Sequence, residues 1–415
     1  MGKLKICLLC YRGNPYSGGQ GIYLKYIADE MVRQGHEVHA ISGPPYPFTM
    51  EGITLHKIDN NEYFIKKKRT IINKENPMDI FNPINFYEWF NSRFGAFPEI
   101  SSFTYRAYGL LRKLQKEHNF DIIHDNQSVG YGLLLMKTLG IPVVSTIHHP
   151  LSIDLENVLE RVDTFKRKMK TVVFYPLLMQ SIVGKRLNHI ITVSEDSKRT
   201  IHRDFGIPLK KQTVVYNGID RNIFKPLNIK RHKKTILFVG NIEDGKKGFV
   251  YLLKAMTLVK NKDLRLRVVD GGAPHRKITQ KLIDVLGIRH MIDFAGTASM
   301  DELVRHYNEA TICAVPSVYE GFGFPAGEAM ACKTPVISSD GGALPEVVGD
   351  SGLIVPARDE VALAKAIDDL IGDQKKLKEL GEAGLNRMIE MFNWDEAVKQ
   401  MIDVFEKSIS QYKQN

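Results

Sequence analysis

Several things are scarce in this 415-residue sequence, and each shortage excludes a class of protein. Only four cysteines occur, Cys7, Cys10, Cys313 and Cys332. That is too few for a disulfide scaffold, and a chain of this size needs no such staple. Cys7 and Cys10 lie inside an apolar, strand-like run, and no cluster of histidines or cysteines follows to complete a metal site. A reducing, cytoplasmic compartment is expected. No apolar run approaches the roughly 18 residues of a membrane span. The N-terminal MGKLKICLLCYRGNP sets a basic residue before an apolar stretch, but that stretch of about six residues is too short for an export signal. Acidic side chains are outnumbered, 47 against 57 Lys and Arg, for a formal charge of +10.

What is present belongs to a folded protein. Forty-three per cent of the residues are apolar and 25% charged, far from the composition of disordered chains. The length exceeds one ordinary core, so two domains of roughly 150 to 220 residues are expected. A positive surplus suits nucleic acid, anionic lipid or a phosphate-bearing substrate. Its distribution discriminates among them. Residues 66–69 are Lys-Lys-Lys-Arg, and residues 160–190 carry seven Lys or Arg against two acids around TVVFYPLLMQSIV. Basic residues interleaved with an apolar run fit a membrane surface or the solvated side of a core-facing helix. Aromatics are not interleaved with them as a nucleic-acid stacking platform requires, so nucleic acid is not expected.

Apolar strands alternate with helical stretches along almost the whole chain. LKICLLC (4–10), the glycine-rich turn GNPYSGGQG, a helix ending at Gly35 and EVHAISG form a strand, helix, strand unit of a parallel sheet. The stretch 76–98, crowded with Asn, Pro and aromatics, is less regular and reads as an insertion. Regularity returns with a helix over 102–117, strand 120–125, helix 129–139, strand 142–148, a long helical stretch to about 188, strand 189–194, a short helix and strand 212–218. After the basic connector FKPLNIKRHKK a second series begins with strands at 235–240, 264–272, 292–296, 312–317, 334–339 and 351–356. The expected fold is α/β, two Rossmann-like parallel-sheet domains facing across a cleft, residues 1–224 and 225–393. The amphipathic helix from Trp394 has no strand partner and is expected to pack back on the first domain.

Open parallel sheets bind ligands where loops and helix N-termini converge at the carboxyl ends of their strands. The candidate residues sit at such places. Gly18, Gly19 and Gly21 follow the first strand and open a helix, where backbone amides approach an anion or substrate closely, though a plain tight turn needs the same residues. Neither the dinucleotide Gly-x-Gly-x-x-Gly spacing nor a P-loop is present. His148 ends a strand of the first domain. Lys247 follows a strand and Gly240 and precedes a helix, a position suited to a phosphate. VPSVYEGFGFPAGEAM (315–330) carries two acids, Glu320 and Glu328, eight residues apart around a glycine-rich turn.

With these motifs in view, the whole chain resembles the retaining glycosyltransferases of family 4, of GT-B architecture. GGQGIYLKYIADEMVRQGHEV resembles their acceptor-side glycine loop and first helix, and VVYNGIDRNIFKP the segment leading into the second domain. ILFVGNIEDGKKGFVYLLKAM resembles the phosphate-binding strand and helix. PSVYEGFGFPAGEAMACKTPVISSDGGALPEVVGD resembles the donor-binding signature. The resemblance implies a nucleotide diphosphate sugar as donor, with no metal and no further cofactor. Residues 1–224 are then the acceptor-binding domain and 225–393 the donor-binding domain. A glycan, glycolipid, lipid-linked or polyol hydroxyl is the implied acceptor. An anionic surface at the inner face of the membrane is a further candidate partner.

The resemblance also distributes roles. Glu328 receives the ribose hydroxyls and Glu320 lies by the donor sugar. Gly321, Phe322 and Gly323 bring backbone amides to the sugar hydroxyls and diphosphate, and Lys247 holds the leaving phosphates. Asn241 stands where the family has an arginine. Asparagine donates a hydrogen bond but neutralises no charge, so weaker donor binding, compensation by Lys246 or Arg276, or a changed nucleotide preference would each follow. The implied chemistry keeps the anomeric configuration, with attack on the face the diphosphate leaves and with His148, rather than its neighbour His149, orienting the donor sugar. Domain closure excludes water. Rival readings are a nucleotide-sugar 2-epimerase or a phosphorylase of the same architecture, and a non-catalytic sugar-binding protein. Release of nucleoside diphosphate separates the last of these from the enzymes.

Overall fold

The computed structural model describes residues 2–14, 19–47, 51–60, 77–160, 162–270 and 277–414. The residues divide into two compact units, Met1–Val193 with Ser197–Val215 and Asp395–Asn415, and Ser194–Asp196 with Tyr216–Trp394.

Among the described residues the first unit holds seven parallel strands: β1 (Lys5–Cys10), β2 (Glu37–Ser42), β3 (Ile53–Lys57), β4 (Ile122–Asn126), β5 (Val143–Ile147), β6 (His189–Thr192) and β7 (Gln212–Val214). Their spatial order is β3-β2-β1-β4-β5-β6-β7. The six strands among the described residues of the second unit are β8 (Thr235–Val239), β9 (Arg265–Val269), β10 (Ile292–Gly296), β11 (Ile312–Val315), β12 (Val336–Ser339) and β13 (Leu353–Val355), ordered β10-β9-β8-β11-β12-β13. Both sheets start in the middle and wind outward in both directions. The loops after β1 and β4, and after β8 and β11, therefore diverge and leave a crevice at the strand ends.

Burial on both faces explains why these strands read as continuous apolar runs. Leu9, Ile123, Val143 and Ile190 pack under Ile100, Phe103, Ala107 and Leu111 of the helix Glu99–His118. In the second unit Ile236, Phe238, Leu266, Val268 and Ile312 lie under Leu252, Leu253 and Met256 of the helix Phe249–Leu258. Local signals set helix ends as well. Ser299 and Glu302 form a reciprocal capping box at the start of Met300–Glu309.

Several elements differ from the sequence expectation. The long helical stretch to residue 188 is three helices, Leu151–Leu159, Phe165–Phe174 and Leu177–Arg186. Pro176 interrupts the last two, because proline removes a backbone donor and crowds the preceding turn. The stretch 76–98 is not irregular throughout: the helix Pro83–Arg93 starts on Asn82, whose side chain accepts from the Ile84 N–H at 2.9 Å. Strand β3 has no counterpart in the expectation, since its five residues ITLHK sit at an edge and are half exposed. The strands predicted at 212–218 and 351–356 shrink to three residues each. The terminal helix Trp394–Gln414 is continuous, and the contacts it makes within the first unit include a hydrogen bond from the Tyr412 hydroxyl to the Lys137 carbonyl at 3.0 Å. Among the described residues, no helix is long and apolar enough to cross a membrane.

Candidate functional site

The central crevice of the second sheet is built by two loops that leave adjacent parallel strands. After β8 the chain passes Gly240 and Asn241, turns through Gly245–Lys247 and enters Phe249–Leu258. Asp244 caps that turn by accepting from the Lys246 N–H at 3.0 Å. Gly248, at φ 65°, is required here: a Cβ would stand 1.8 Å from the Pro316 carbonyl oxygen. The Lys246 carbonyl, in turn, accepts from the amides of Val318 at 2.6 Å and Tyr319 at 3.4 Å. The lysine turn and the loop after β11 are thus clamped backbone to backbone.

That clamp joins two of the sequence-predicted residues. Lys247 Nζ lies 2.8 Å from Glu320 Oε1, and the Ser317 hydroxyl donates to the same oxygen at 2.8 Å. The pair is partly covered, with side-chain exposures of 25% and 12%. Backbone bonds hold Glu320 from the far side, where its carbonyl accepts from the Ala343 amide at 2.9 Å. Gly323, at φ 107°, precedes the helix Phe324–Ala331. Phe322 is buried with its ring centroid 5.1 Å from Phe324 and 5.6 Å from Phe392, so its side chain anchors the loop. The carbonyl of Gly321 accepts from the Ser194 hydroxyl at 2.9 Å.

Glu328 lies on Phe324–Ala331 and is held by a residue that sequence reasoning missed. The hydroxyl of Tyr307, a fully buried side chain, donates to Glu328 Oε2 at 2.7 Å. The residue is only partly buried by area, but its carboxyl end is enclosed. Desolvation raises its pKa to about 7, against the opposing pulls of the Tyr307 hydrogen bond and the Lys247 charge. Only the position of Tyr307, late on the helix before β11, hinted at this contact.

Asn241 is exposed, and its side-chain oxygen accepts from the Glu243 N–H at 3.0 Å, closing a local turn. It supplies shape to the loop and no charge. Arg276, one of the two candidate replacements for the missing cation, lies outside the described residues, as do Gly18 and residues 66–69.

In the first unit the sites cluster at the ends of β1, β4 and β5. Gly19 is exposed and is the first residue of the helix Gly19–Arg33. Gly21 faces the Asn14 carbonyl oxygen, 1.9 Å from where a Cβ would be, so close backbone approach alone accounts for it. His148 follows β5 directly. Its Nε2 is 2.8 Å from Asn126 Oδ1, while the Asn126 amide nitrogen donates to the Gln20 carbonyl at 2.9 Å. That network makes Nε2 the protonated nitrogen and leaves a lone pair on Nδ1. Burial, reinforced by His149 and His124, lowers the His148 pKa to about 3, so the ring is neutral at physiological pH. Tyr23 packs edge-on against it at 4.5 Å. Gln127, at φ 62°, accepts from the His148 N–H at 2.7 Å and donates to the His149 carbonyl at 2.9 Å. His149 instead turns to Asp154, 3.0 Å away. Asn126 and Gln127 are neighbours of His148 that no motif marked, because they meet it only through the β4–β5 pairing.

The two halves of the chain match two family profiles, residues 17–222 that of Glycosyltransferase Family 4 and residues 219–387 that of Glycosyl transferases group 1. The MMP alpha-(1->4)-mannosyltransferase of Mycolicibacterium hassiacum is 32% identical over 98% of this chain and 99% of its own length. A D-inositol 3-phosphate glycosyltransferase of Corynebacterium aurimucosum is 26% identical over 96% of this chain and 93% of its own. Sucrose-phosphate synthase from Thermosynechococcus elongatus shares the fold, with TM-score 0.73 and 22% identity over 98% of this chain and all of that one. With both sheets wound alike and the lysine and two acids gathered where β8 and β11 diverge, the chain belongs to glycosyltransferase family 4, GT-B enzymes that draw on a nucleotide diphosphate sugar without a metal cofactor.

Proposed function

We propose that this protein is a retaining hexosyltransferase that moves a mannosyl unit from a nucleotide diphosphate sugar to a hydroxyl of a glycan acceptor. The observation that carries the reading is the Lys247–Glu320 ion pair at 2.8 Å, set in the crevice between β8 and β11. The choice of mannose rests on the likeness to the M. hassiacum mannosyltransferase.

The pair suits a site that waits for a diphosphate. Glu320, itself fixed by the Ser317 hydroxyl, holds the ammonium in one position; an arriving diphosphate brings more negative charge than the carboxylate and competes for it. As the bond from C1 to the leaving phosphate oxygen breaks, charge grows on that oxygen, and Lys247 with the amides of Gly321, Phe322 and Gly323 stabilises it. The acceptor oxygen bonds to C1 on the same face, and its proton passes to the departing phosphate. His148 enters as a neutral ring that orients the donor sugar, since a group with its pKa near 3 carries no charge at neutral pH. The partial refilling of the place of the family arginine falls to Lys246, next to Lys247 in the same turn.

Glu328 accepts the ribose hydroxyls, and its raised pKa makes that role pH-dependent. Below about pH 7 the free protein holds it protonated; hydroxyl donors favour the ionised form and bind better as the pH rises through 7. The same shift has a stability consequence of opposite sign. A carboxyl whose folded pKa lies above its unfolded value stabilises the fold below the unfolded value, and that contribution is lost as pH rises through about 7. Calorimetry with UDP, GDP and ADP and their sugars tests the site. One nucleotide is expected to bind, roughly 10- to 100-fold more weakly after Glu328→Ala, with kcat changed less. Glu328→Gln is expected to flatten the pH profile of donor affinity. Affinity unchanged in both variants would remove Glu328 from the ribose role.

A specific surface favours an acceptor held at an anionic lipid interface. Phe165, Met169, Val172 and Val173 are all more than half exposed on the helix Phe165–Phe174, among Lys166, Arg167, Lys168 and Lys170. Phe94, also exposed, shares with Phe174 and Lys170 the lining of a cavity of about 430 Å³. Apolar side chains within a basic helix lie flat in the interface of anionic bilayers. Co-sedimentation with phosphatidylglycerol vesicles, and none with phosphatidylcholine alone, is expected, lost when Lys166, Arg167, Lys168 and Lys170 become glutamate. Equal sedimentation of both proteins would refute membrane docking without touching the transferase assignment.

A further inference from the structure

A second cluster of chemistry-bearing side chains lies in the first unit, at the opposite end of the sheet from His148. Glu37 is the first residue of β2 and His118 the last of the helix Glu99–His118, so both stand where strands enter, whereas His148 stands where β5 leaves. Glu37, His39 and His118 each offer one ligand atom, and these atoms all lie within 4.8 Å of one another. His39 Nε2 is 3.6 Å from Glu37 Oε1. In a tetrahedral zinc shell, neighbouring nitrogen and oxygen ligands are about 3.3–3.5 Å apart, so the Glu37–His39 pair is already near ligand spacing and the wider separations must close by up to roughly 1.4 Å.

The surroundings fit a ligand set better than a packing accident. His39 is 4% exposed and its other ring nitrogen, Nδ1, is 3.0 Å from His56 Nε2. A metal-bound imidazole characteristically donates its second N–H to an acceptor that fixes its tautomer and ring plane. His56, on β3, supplies that acceptor. Glu117 Oε2, 3.9 Å from His118 Nε2, provides a second carboxylate within reach of the open side. Phe120, 5.0 Å from the His39 ring, makes an apolar wall. Against a cation stand Lys3 and Lys5, whose ammonium groups lie 3.9 Å from the Glu37 carboxylate; Lys5 also donates to the His118 carbonyl at 3.0 Å, so a divalent ion must displace both ammonium groups from Glu37.

We propose that Glu37, His39 and His118 form a binding site for one divalent transition-metal ion of the zinc type, with His56 orienting His39. Two imidazoles and a carboxylate select zinc and its neighbours over magnesium or calcium, which prefer all-oxygen shells. The ion takes no part in sugar transfer. It ties the start of β2 to the end of the helix that leads into β4.

The test uses the full chain without an affinity tag, stripped by a chelator and titrated calorimetrically with Zn²⁺. One ion per chain is expected, with affinity lowered roughly 100-fold or more by His118→Ala and roughly 10- to 100-fold by His56→Gln. Zn²⁺ is expected to raise Tm by a few degrees in the parent chain and not in His118→Ala. His118 and His56 are only partly buried, so these variants should fold even where one at His39 does not. Glycosyl transfer is expected to be the same in the stripped and loaded protein. No uptake at micromolar Zn²⁺, or uptake untouched by both substitutions and therefore at others of the 13 histidines, would overturn the site and leave the cluster as aromatic packing.

Discussion

Lys247→Ala is expected to lower kcat by roughly 100- to 1000-fold, with a smaller change in the donor KM. Removing one preorganised charge-stabilising donor costs about that much when it acts mainly on charge that develops in the transition state. Two further effects act in the same direction here. Glu320, only 12% exposed at its side chain, loses its ammonium partner, and its carboxylate then repels the incoming diphosphate. Glu320→Gln in the same chain is therefore expected to recover part of the loss, because it removes the repulsion while keeping an acceptor for Ser317. A double-mutant cycle read in kcat and KM separately decides the matter. Unchanged kcat in Lys247→Ala would take Lys247 out of the phosphate role. An additive cycle would mean that the ion pair is incidental.

The second large effect is structural in origin. Gly248→Ala introduces a Cβ 1.8 Å from the Pro316 carbonyl oxygen, at a φ of 65° that side-chain-bearing residues resist. The obstacle is backbone, so it cannot swing aside as a side chain would. About 2–4 kcal/mol of destabilisation is expected, which for a unit of this size is a fall in Tm of roughly 5–15 °C. The loop that must retreat carries Ser317 and Glu320, so activity is expected to fall even at temperatures where the protein stays folded. Differential scanning calorimetry with steady-state kinetics checks both halves. A Tm within a degree of the parent, with unchanged kinetics, would show that the two loops are not clamped as the Lys246 carbonyl and Gly248 suggest.

The local content of both sites was legible in the chain. Glycine-rich turns after apolar runs marked the loop ends, and the strand of HIITVS and the strand of TILFVG appear within a residue or two of their expected places. Lys247, Glu320 and His148 stand in loops or turns next to strand ends, as their positions after apolar runs implied, and Glu328 stands midway along the short helix Phe324–Ala331. Elements with weak periodicity were misread. The run 151–186 is helical by composition, and only proline and local packing divide it into three. Strand β3 is short and half exposed, so its alternation is too brief to separate it from a loop.

Partnerships were hidden for a different reason. Lys247 and Glu320 are 73 positions apart, and nothing in either segment names the other. Their contact follows from β8 pairing with β11, although β9, β10 and their helices lie between them in the chain, and from the carbonyl clamp at Lys246. Tyr307 against Glu328, and Gln127 against His148 and His149, arise in the same way. Glu37, His39, His56 and His118 likewise looked like four unrelated polar residues in three separate stretches.

The sequence by itself determined the α/β class, two successive series of strands, the residue types at the strand ends and the glycines that only particular turns accept, because these rest on short-range sterics and periodic burial. Tertiary structure alone decided which loops became neighbours, which carboxylate met the lysine and which was enclosed beside Tyr307. Strand order is set by the sum of many weak packing contacts over long separations, and a charge or a pKa is set by what that order brings within a few ångströms.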